Sequence, residues 1–179
     1  MLSKKSNEES LDYASKSLRV SINSYISFLD NPNLKNATEM CIASNLAGKA
    51  INISKTTAPH ATSYPFTSLF NINHGHAVSL FFEKFLKYNF DNLNRSETNF
   101  DIKKRFEHMF KLFNVNNMNE FNSKISIIKK KAKLEDNLKN LNIDINKSSE
   151  KIIKGINLLR LDNNPVKIDD KDIYNIISK

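Results

Sequence analysis

The sequence predicts an all-α fold, a helical bundle, on the strength of three observations. Its 179 residues include only three glycines and four prolines, too few for the turns that an antiparallel sheet needs. Apolar residues recur at spacings of three and four, which is typical of amphipathic helices. No segment combines strict apolar–polar alternation with turn signals, the pattern of a half-buried strand. We therefore expect a single all-helical domain over residues 1–179.

The first two helices are predicted near the N-terminus. Helical spacing of apolar residues favours a helix over residues 8–29, which ends near Asn31-Pro32 because the residue before a proline disfavours helical geometry. Asn36, with Glu39 three residues later, is typical of a helix start. This second helix has a narrow face of small residues, so we expect it to be central and buried. The small residues are Ala43, Ala47, Gly48 and Ala50.

Six further helices are expected along the rest of the chain. Helically spaced apolar side chains predict a third helix carrying Ala77 to Leu86, and a phenylalanine-rich stretch predicts a fourth. The fourth covers residues 100–113, and shorter helices follow at 117–130, 134–141, 148–160 and 169–178. Asp169 or Asp170 would cap the last one.

The net charge of +8 raises the question of nucleic-acid binding, especially at the basic run Lys129–Lys133. Lysines are, however, scattered along the whole chain, and only four arginines are available for base or phosphate contacts. We therefore expect solvated helix faces rather than a nucleic-acid interface.

The environment of the protein is indicated by two further features. Cys41 is the only cysteine, so no disulfide within the chain is expected, and its apolar neighbours predict a buried thiol in a reducing compartment. Neither a signal peptide nor a membrane span of about 18 apolar residues is visible. The sequence thus favours a cytoplasmic protein.

Three of the four histidines lie in one segment, residues 56–76, which reads TTAPHATSYPFTSLFNINHGH. On one straight helix His60 and His74 would be about 21 Å apart, too far to share an ion. Pro59 and Pro65 are expected to force the chain off the helical path, and the turn residues before His74 allow a new helix to begin there. The two imidazoles can therefore return to each other.

Two histidines alone leave two interpretations open. Each could be a polar side chain filling space between helices, or the pair could be an incomplete metal site, because catalytic sites usually have three or more protein ligands. His76 should point elsewhere, and His108 belongs to the phenylalanine-rich helix. No Asp or His lies four positions before another histidine, so further ligands would have to come from outside the chain.

At this point the residues resemble a known family. The stretch ASNLAGKAINISKTTAPHATSYPFTSLFNINHGHAVSLFFEKFLKYN resembles the metal-binding core of the iron-containing (group III) alcohol dehydrogenases, with a buried A-x-x-L-A-G helix, a histidine, and a His-Gly fourteen residues later. RLDNNPVKIDDKDIYNII is similar to the closing Asn-Pro motif and last helix of that family. The resemblance covers roughly residues 8–178.

The resemblance implies that this chain is the C-terminal helical domain of such an enzyme. In the family, an NAD(P)-binding α/β domain precedes it, and Fe²⁺, sometimes Zn²⁺, is bound by an Asp and three histidines. His60 and His74 match the later two ligands, whereas the other two would fall upstream of Met1. The metal would polarise an alcohol or carbonyl oxygen while a hydride moves to or from the nicotinamide. The chain alone would then be incomplete and inactive.

Within the family, the histidine segment is most similar to the phosphonoacetaldehyde reductase branch. The resemblance therefore implies a small aldehyde or alcohol substrate bearing a phosphonate. Lys49, Lys55, Thr56 and Thr57 would contribute charge and hydroxyls to that anion. Many members have a second histidine where this chain has Tyr64, and its phenol would take the place of that histidine in the proton path.

A second class of function stays open at this stage. The chain could be a non-catalytic helical remnant, or a basic binding module without turnover. The two readings differ in a measurable way, because a nucleic-acid binder loses affinity steeply with salt, whereas the dehydrogenase reading predicts a divalent ion that depends on His60 and His74. The sequence also leaves a homo-oligomer open.

Overall fold

The computed structural model describes residues 1–178, and it confirms the all-α prediction. Nine α-helices and one 3₁₀ turn make up the regular structure of this part of the chain, and its only bridge of β type joins Ser96 to Val166. The helices are α1 (Glu8–Asp30), α2 (Leu34–Ser54), α3 (Ala58–Phe70), α4 (His74–Asp91), α5 (Ile102–Phe113), α6 (Met118–Lys131), α7 (Ile145–Lys154), α8 (Leu158–Asp162) and α9 (Asp170–Ser178). None of them is long and apolar enough to cross a membrane.

The helix starts follow from side-chain caps. Asn7 opens α1 and Asn33 opens α2, each in a reciprocal pair with the residue three positions on. The prediction that Asn36 caps the second helix is therefore wrong by three residues, because Asn36 is the inner partner of Asn33. Asp169 caps α9 as predicted, since its side chain accepts from the backbone N–H of Asp172 at 2.8 Å.

Helix α2 is a surface helix, which corrects the prediction that it is central and buried. It packs along α1 as an antiparallel hairpin, and of its small residues only Ala43 and Ala50 are fully buried. Its opposite face is open to solvent, and Cys41 lies there, so the predicted burial of this thiol is also wrong. Within residues 1–178 no second layer covers α2, because the helices that follow pack against other parts of the bundle.

Two other helix predictions need correction. Residues 134–141 form turns rather than a helix, beginning just after α6 ends at Lys131. The helix predicted over 148–160 is two helices, α7 and α8, with Gly155 as the residue that ends the first. The predictions at 100–113, 117–130 and 169–178 are confirmed to within two residues at each end.

The core of the described chain consists of two apolar clusters that meet at α4. The first, which we call the α3–α9 cluster, joins α3, α4, α7 and α9 around Phe66, Phe81 and Ile177. The second, the phenylalanine cluster, joins α4, α5 and α6 around Phe106 and Phe121. Because α4 contributes to both clusters, its first residue, His74, is held on a well-packed support.

Candidate metal centre

His60 lies in the first turn of α3, a helix that contains two prolines, Pro59 and Pro65. Pro59 is in the first turn, where its missing N–H costs nothing. Pro65 lies inside the helix, so the prediction that it forces the chain off the helical path is wrong. It leaves the carbonyl of Ala61 without its usual helical partner. The backbone N–H of Asn157 donates to this carbonyl at 3.4 Å, so that the start of α8 replaces the lost bond.

His74 is the first residue of α4, and the turn before it brings it back to His60. Asn71 ends α3 in the left-handed conformation with φ of 53°, a backbone geometry that asparagine tolerates better than most residues. The chain then reverses through residues 71–73, and α4 begins beside the N-terminal turn of α3. The expected return of the two imidazoles therefore does occur, through this turn rather than through Pro65.

The two imidazoles converge on one point. His60 Nδ1 and His74 Nε2 are 3.1 Å apart, and the ring centroids are separated by 5.2 Å. Two nitrogens bound to one ion at about 2.1 Å lie roughly 3.0 to 3.4 Å apart in octahedral or tetrahedral geometry. The pair therefore fits two ligands of a single divalent ion.

Ser63, one turn after His60, sets the tautomer of His74. Its hydroxyl donates to the carbonyl of His60 at 2.8 Å, and its Oγ lies 3.2 Å from Nδ1 of His74. Because the single hydroxyl proton is used on the carbonyl, Nδ1 must be the donor in the second bond. The lone pair of His74 is then on Nε2, the nitrogen that faces His60, as a metal ligand requires.

The environment keeps His60 neutral. Burial, followed by the neighbouring His74 and the Arg160 guanidinium, lowers the pKa of His60 to about 4 from its usual 6.5. A neutral imidazole is the form that binds a metal ion. Within residues 1–178 no cluster of three or more His, Cys, Asp or Glu side chains is placed to hold an ion, so the chain supplies a pair of donors.

Two further side chains flank the pair. Tyr64 is 37% exposed, and its ring centroid is 5.6 Å from that of His74. The guanidinium of Arg160, on α8, lies over the Tyr64 ring at 5.4 Å and donates to Thr56 Oγ1. Sequence reasoning did not find Arg160, which is 104 positions from Thr56. The only available signal was the scarcity of arginine in a lysine-rich chain.

The residues predicted to contact substrate are divided between two places. Lys55, Thr56 and Thr57 line a cleft of about 300 Å³ together with His60. Lys49 does not line this cleft, and its ammonium lies 5.6 Å from the centroid of the Tyr13 ring. The other walls of the cleft are mainly apolar and come from residues 1–3 and from α1, α2, α4, α5 and α6.

The other two histidines are occupied elsewhere, in line with the sequence interpretation. His76 Nε2 lies 2.7 Å from the carbonyl oxygen of Glu135, and His108 Nε2 lies 2.8 Å from the hydroxyl of Ser15. Both histidines hold structural contacts between distant segments, so neither joins the pair.

The basic run Lys129–Lys133 is not a uniform solvated face. Lys129 is only 5% exposed, and its ammonium pairs with Glu83 at 3.1 Å and Asp136 at 2.9 Å. Lys131 pairs with Asp30 at 2.8 Å. Two charges of the run are thus engaged within the protein, which reduces the cationic surface that a phosphate backbone would meet.

Comparisons with known proteins agree with this architecture. The family model described as "Fe-containing alcohol dehydrogenase family, C-terminal" matches residues 3–179. No curated protein matches the sequence significantly.

Solved structures share the fold at low sequence identity. One is sulfoacetaldehyde reductase from Bifidobacterium kashiwanohense in complex with NAD⁺, with a TM-score of 0.85, 23% identity, and coverage of 99% of this chain and 45% of that one. A second is an alcohol dehydrogenase from an archaeal halo-thermophile of a Red Sea brine pool, with a TM-score of 0.87, 17% identity, and coverage of 99% of this chain and 46% of that one. A third is the iron-containing alcohol dehydrogenase of Thermotoga maritima, with a TM-score of 0.71, 22% identity, and coverage of 98% of this chain and 43% of that one. The chain spans less than half the length of each.

Proposed function

Because the chain belongs to the family of iron-containing alcohol dehydrogenases, whose C-terminal model its residues 3–179 match, we propose that it supplies the metal-binding half of an NAD(P)-linked alcohol dehydrogenase or aldehyde reductase. The observation that carries the proposal is the convergence of His60 Nδ1 and His74 Nε2 at 3.1 Å. This pair is formed by the N-terminal turns of two adjacent helices, and the two nitrogens can share one ion once the proton on His60 Nδ1 has moved to Nε2.

The chemistry of the site divides between the ion and the protein. When bound, Fe²⁺ or Zn²⁺ polarises the oxygen of an alcohol or a carbonyl group. His60 and His74 hold the ion, and Ser63 orients the His74 ring through its Nδ1–H. Tyr64, whose ring lies beside His74, is placed at the exposed side of the pair. There its hydroxyl serves the proton path between the substrate oxygen and solvent.

A second domain completes the enzyme in this proposal. It contributes the remaining metal ligands and most of the NAD(P)H site, and it lies upstream of these residues, so that the chain alone is inactive. The exposed surface beside the site supports such a partner. Leu158 and Leu159, on the helix that carries Arg160, are 71% and 85% exposed, and adjacent exposed leucines are typical of a surface that another domain covers.

The substrate in this proposal is a small aldehyde or alcohol, phosphonoacetaldehyde being the specific candidate. Lys55, Thr56 and Thr57 line the cleft that reaches His60, where hydroxyl and ammonium groups suit an anion. Lys49 contributes at most to the general positive potential, since its ammonium is held over Tyr13.

Metal binding tests the proposal on the chain itself. Co²⁺ is added to the chain, and the ring signals of the four histidines are followed by NMR. We expect the His60 and His74 signals to broaden at a Co²⁺ concentration at least about tenfold below that which affects His76 and His108, because a convergent pair binds better than a single imidazole.

Variants of the chain's own histidines provide the control. His60→Ala should abolish the selective broadening of His74, whereas His108→Ala should leave it intact. Equal broadening of all four histidines would contradict the proposed function.

A further inference from the structure

The guanidinium of Arg160 is held beside the histidine pair by the structure around it. Asn157 caps α8 by accepting from the backbone N–H of Arg160 at 3.1 Å. The backbone N–H of Asn157 donates to Ala61 in α3. Arg160 is thus anchored to the helix that carries His60, and its side chain extends between Tyr64 and Thr56. These contacts fix the position of the Arg160 side chain, which is therefore not a flexible surface side chain.

Arg160 differs from the other three arginines because it is partly buried and has no carboxylate partner within residues 1–178. Arg95 pairs with Asp172 at 3.4 Å, Arg105 pairs with Glu8 at 2.8 Å, and Arg19 is exposed to solvent. Arg160 is only partly exposed, yet no carboxylate among residues 1–178 lies within ion-pair distance of it. A partly desolvated guanidinium without a counter-charge is costly to maintain, which is expected where a ligand supplies the negative charge.

We propose that Arg160 is the specificity-determining residue that binds an oxyanion group of the substrate, a phosphonate, sulfonate or carboxylate, at the edge of the histidine site. The inference rests on the proposed function and names the group that recognises the charged end of the substrate. A guanidinium carries five N–H donors in a planar fork that matches an oxyanion. Thr56 takes one of them, and none of the others donates to a protein acceptor among residues 1–178.

The lysines near the cleft are less suited to this role. The ammonium of Lys55 donates to the carbonyl of Asn52 at 2.6 Å, and that of Lys49 lies over Tyr13. Arg160 instead contacts Thr56, which lines the same cleft as His60. The Arg160 guanidinium also lies over the Tyr64 ring, which lies beside His74, so an anion at Arg160 would be bound next to the histidine pair.

Methylphosphonate is the probe for this inference. The ¹⁵N-labelled chain gives one Nε–H signal for each of its four arginines, and Arg160→Lys identifies the signal of Arg160 by its loss. At constant ionic strength, we expect the Arg160 signal to shift saturably with a dissociation constant at least about tenfold below that for Arg19, the margin expected for charge-assisted bonds. Parallel shifts of the two signals would mean non-specific screening and would overturn the inference.

Two variants serve as a matched pair, because each removes one positive charge. Arg160→Gln should abolish the shift that methylphosphonate causes in the Tyr64 ring signals, whereas Arg19→Gln should leave this shift unchanged. If Arg160→Gln fails to fold, Arg160→Lys tests the same point, since it keeps the positive charge and loses the planar guanidinium. We expect its dissociation constant for methylphosphonate to be several-fold larger. An unchanged constant would overturn the inference.

Two further arms separate the alternatives. Inorganic pyrophosphate represents the cofactor, and binding about tenfold tighter than that of methylphosphonate would assign Arg160 to the diphosphate of NAD(P) and overturn the substrate assignment. Co²⁺ is added to the same sample. Selective broadening of His60 and His74 without methylphosphonate binding rejects this inference alone, whereas methylphosphonate binding without that broadening supports the anion site and rejects the proposed metal function.

Discussion

At the scale of single residues, burial and neighbouring groups keep His60 neutral, and a neutral imidazole is the form that a metal ion can bind. His60 is partly buried beside His74, and Arg160 adds a positive charge nearby. These neighbours disfavour a second proton on His60, while the Ser63 contact fixes the lone pair of His74 on the nitrogen that faces it. In the metal-free chain the His60 Nδ1–H therefore donates to Nε2 of His74 at 3.1 Å, and a metal ion would replace this proton between the two rings.

This arrangement predicts a specific pH dependence of stability in the metal-free chain. The pKa of His60 is about 4 in the folded chain and about 6.5 when unfolded. Above pH 6.5 the ring is neutral in both states. As the pH falls from 6.5 to 4, His60 binds a proton in the unfolded state but stays neutral in the folded state. The free energy of unfolding therefore decreases.

Urea unfolding measured at several pH values tests this expectation. His60→Asn should lose less of its free energy of unfolding between pH 6.5 and 4 than the unmodified chain does. An NMR titration of the His60 ring with a midpoint near 6.5 would show that the low folded pKa is wrong.

The residue scale also shows what the sequence could not reveal. The convergence of His60 and His74 was predictable because both lie in one short segment with turn residues before His74. Arg160 was not, since its approach to Thr56 and Tyr64 depends on how α8 docks against α3. No local pattern in the sequence encodes that docking. The role of the histidines as ligands stays a prediction.

At the scale of elements, local signals predicted most helices but misjudged those that tertiary contacts decide. Pro65 is tolerated inside α3 because Asn157 replaces the lost donor to Ala61, a compensation from a segment far along the chain. The segment 134–141 has helix-forming residues, yet it forms turns, and Lys133 and Asn142 adopt positive φ values at its borders. Helix α2 has small residues, but it lies at the surface because α1 is the one helix of the described chain that packs along it.

Two glycines, Gly155 at the end of α7 and Gly48 in α2, differ in the space around them, so alanine substitution should have opposite effects on stability at the two positions. A Cβ atom at Gly155 would lie 2.9 Å from Cβ of Pro65 and 3.3 Å from the carbonyl oxygen of Lys151. Gly155→Ala should therefore lower the free energy of unfolding by about 1 to 3 kcal/mol through overpacking. A Cβ at Gly48, in exposed α2, meets nothing within 4 Å, so Gly48→Ala should raise it by about 0.5 to 1 kcal/mol.

Denaturant unfolding of both variants checks this pair. A neutral or stabilising Gly155→Ala would mean that α7 can move away from Pro65 without cost, and the close packing of the two helices would then not be what positions α8.

At the scale of the whole molecule, buried polar side chains connect the segments that the two apolar clusters leave apart. Asn164 and Asn89 bond to each other at 2.7 Å and link the chain before α9 to α4. Asn163 links the N-terminal residues to the end of α2. The sequence showed the Asn-Pro motif, yet the partners of these asparagines are distant in sequence, so their structural role could not be read from it.

Asn163 carries the strongest prediction at this scale. Its amide donates to the carbonyls of Ser54 and Thr56 at 2.9 Å each, and its Oδ1 accepts from the backbone N–H of Lys5 at 3.2 Å. The side chain is 4% exposed, so Asn163→Ala removes three hydrogen bonds and leaves the Thr56 carbonyl and the Lys5 N–H without this partner. We expect a loss of about 2 to 4 kcal/mol in the free energy of unfolding.

The same substitution should loosen the segment that leads into the metal site. Thr56 and Lys55 connect α2 to α3, so amide hydrogen exchange should accelerate at Lys5 and over residues 54–57, while the centre of α4 stays protected until the whole chain unfolds. Asn146→Ala is the control, because the Asn146 side chain is exposed and accepts one hydrogen bond within residues 1–178, from Tyr174 at 3.2 Å. Its effect should stay within about 0.5 kcal/mol. If both variants lose equal stability, or if exchange rises uniformly, Asn163 does not hold the N-terminal residues and α2 to the rest of the bundle. The entry to His60 would then be held by the apolar clusters alone.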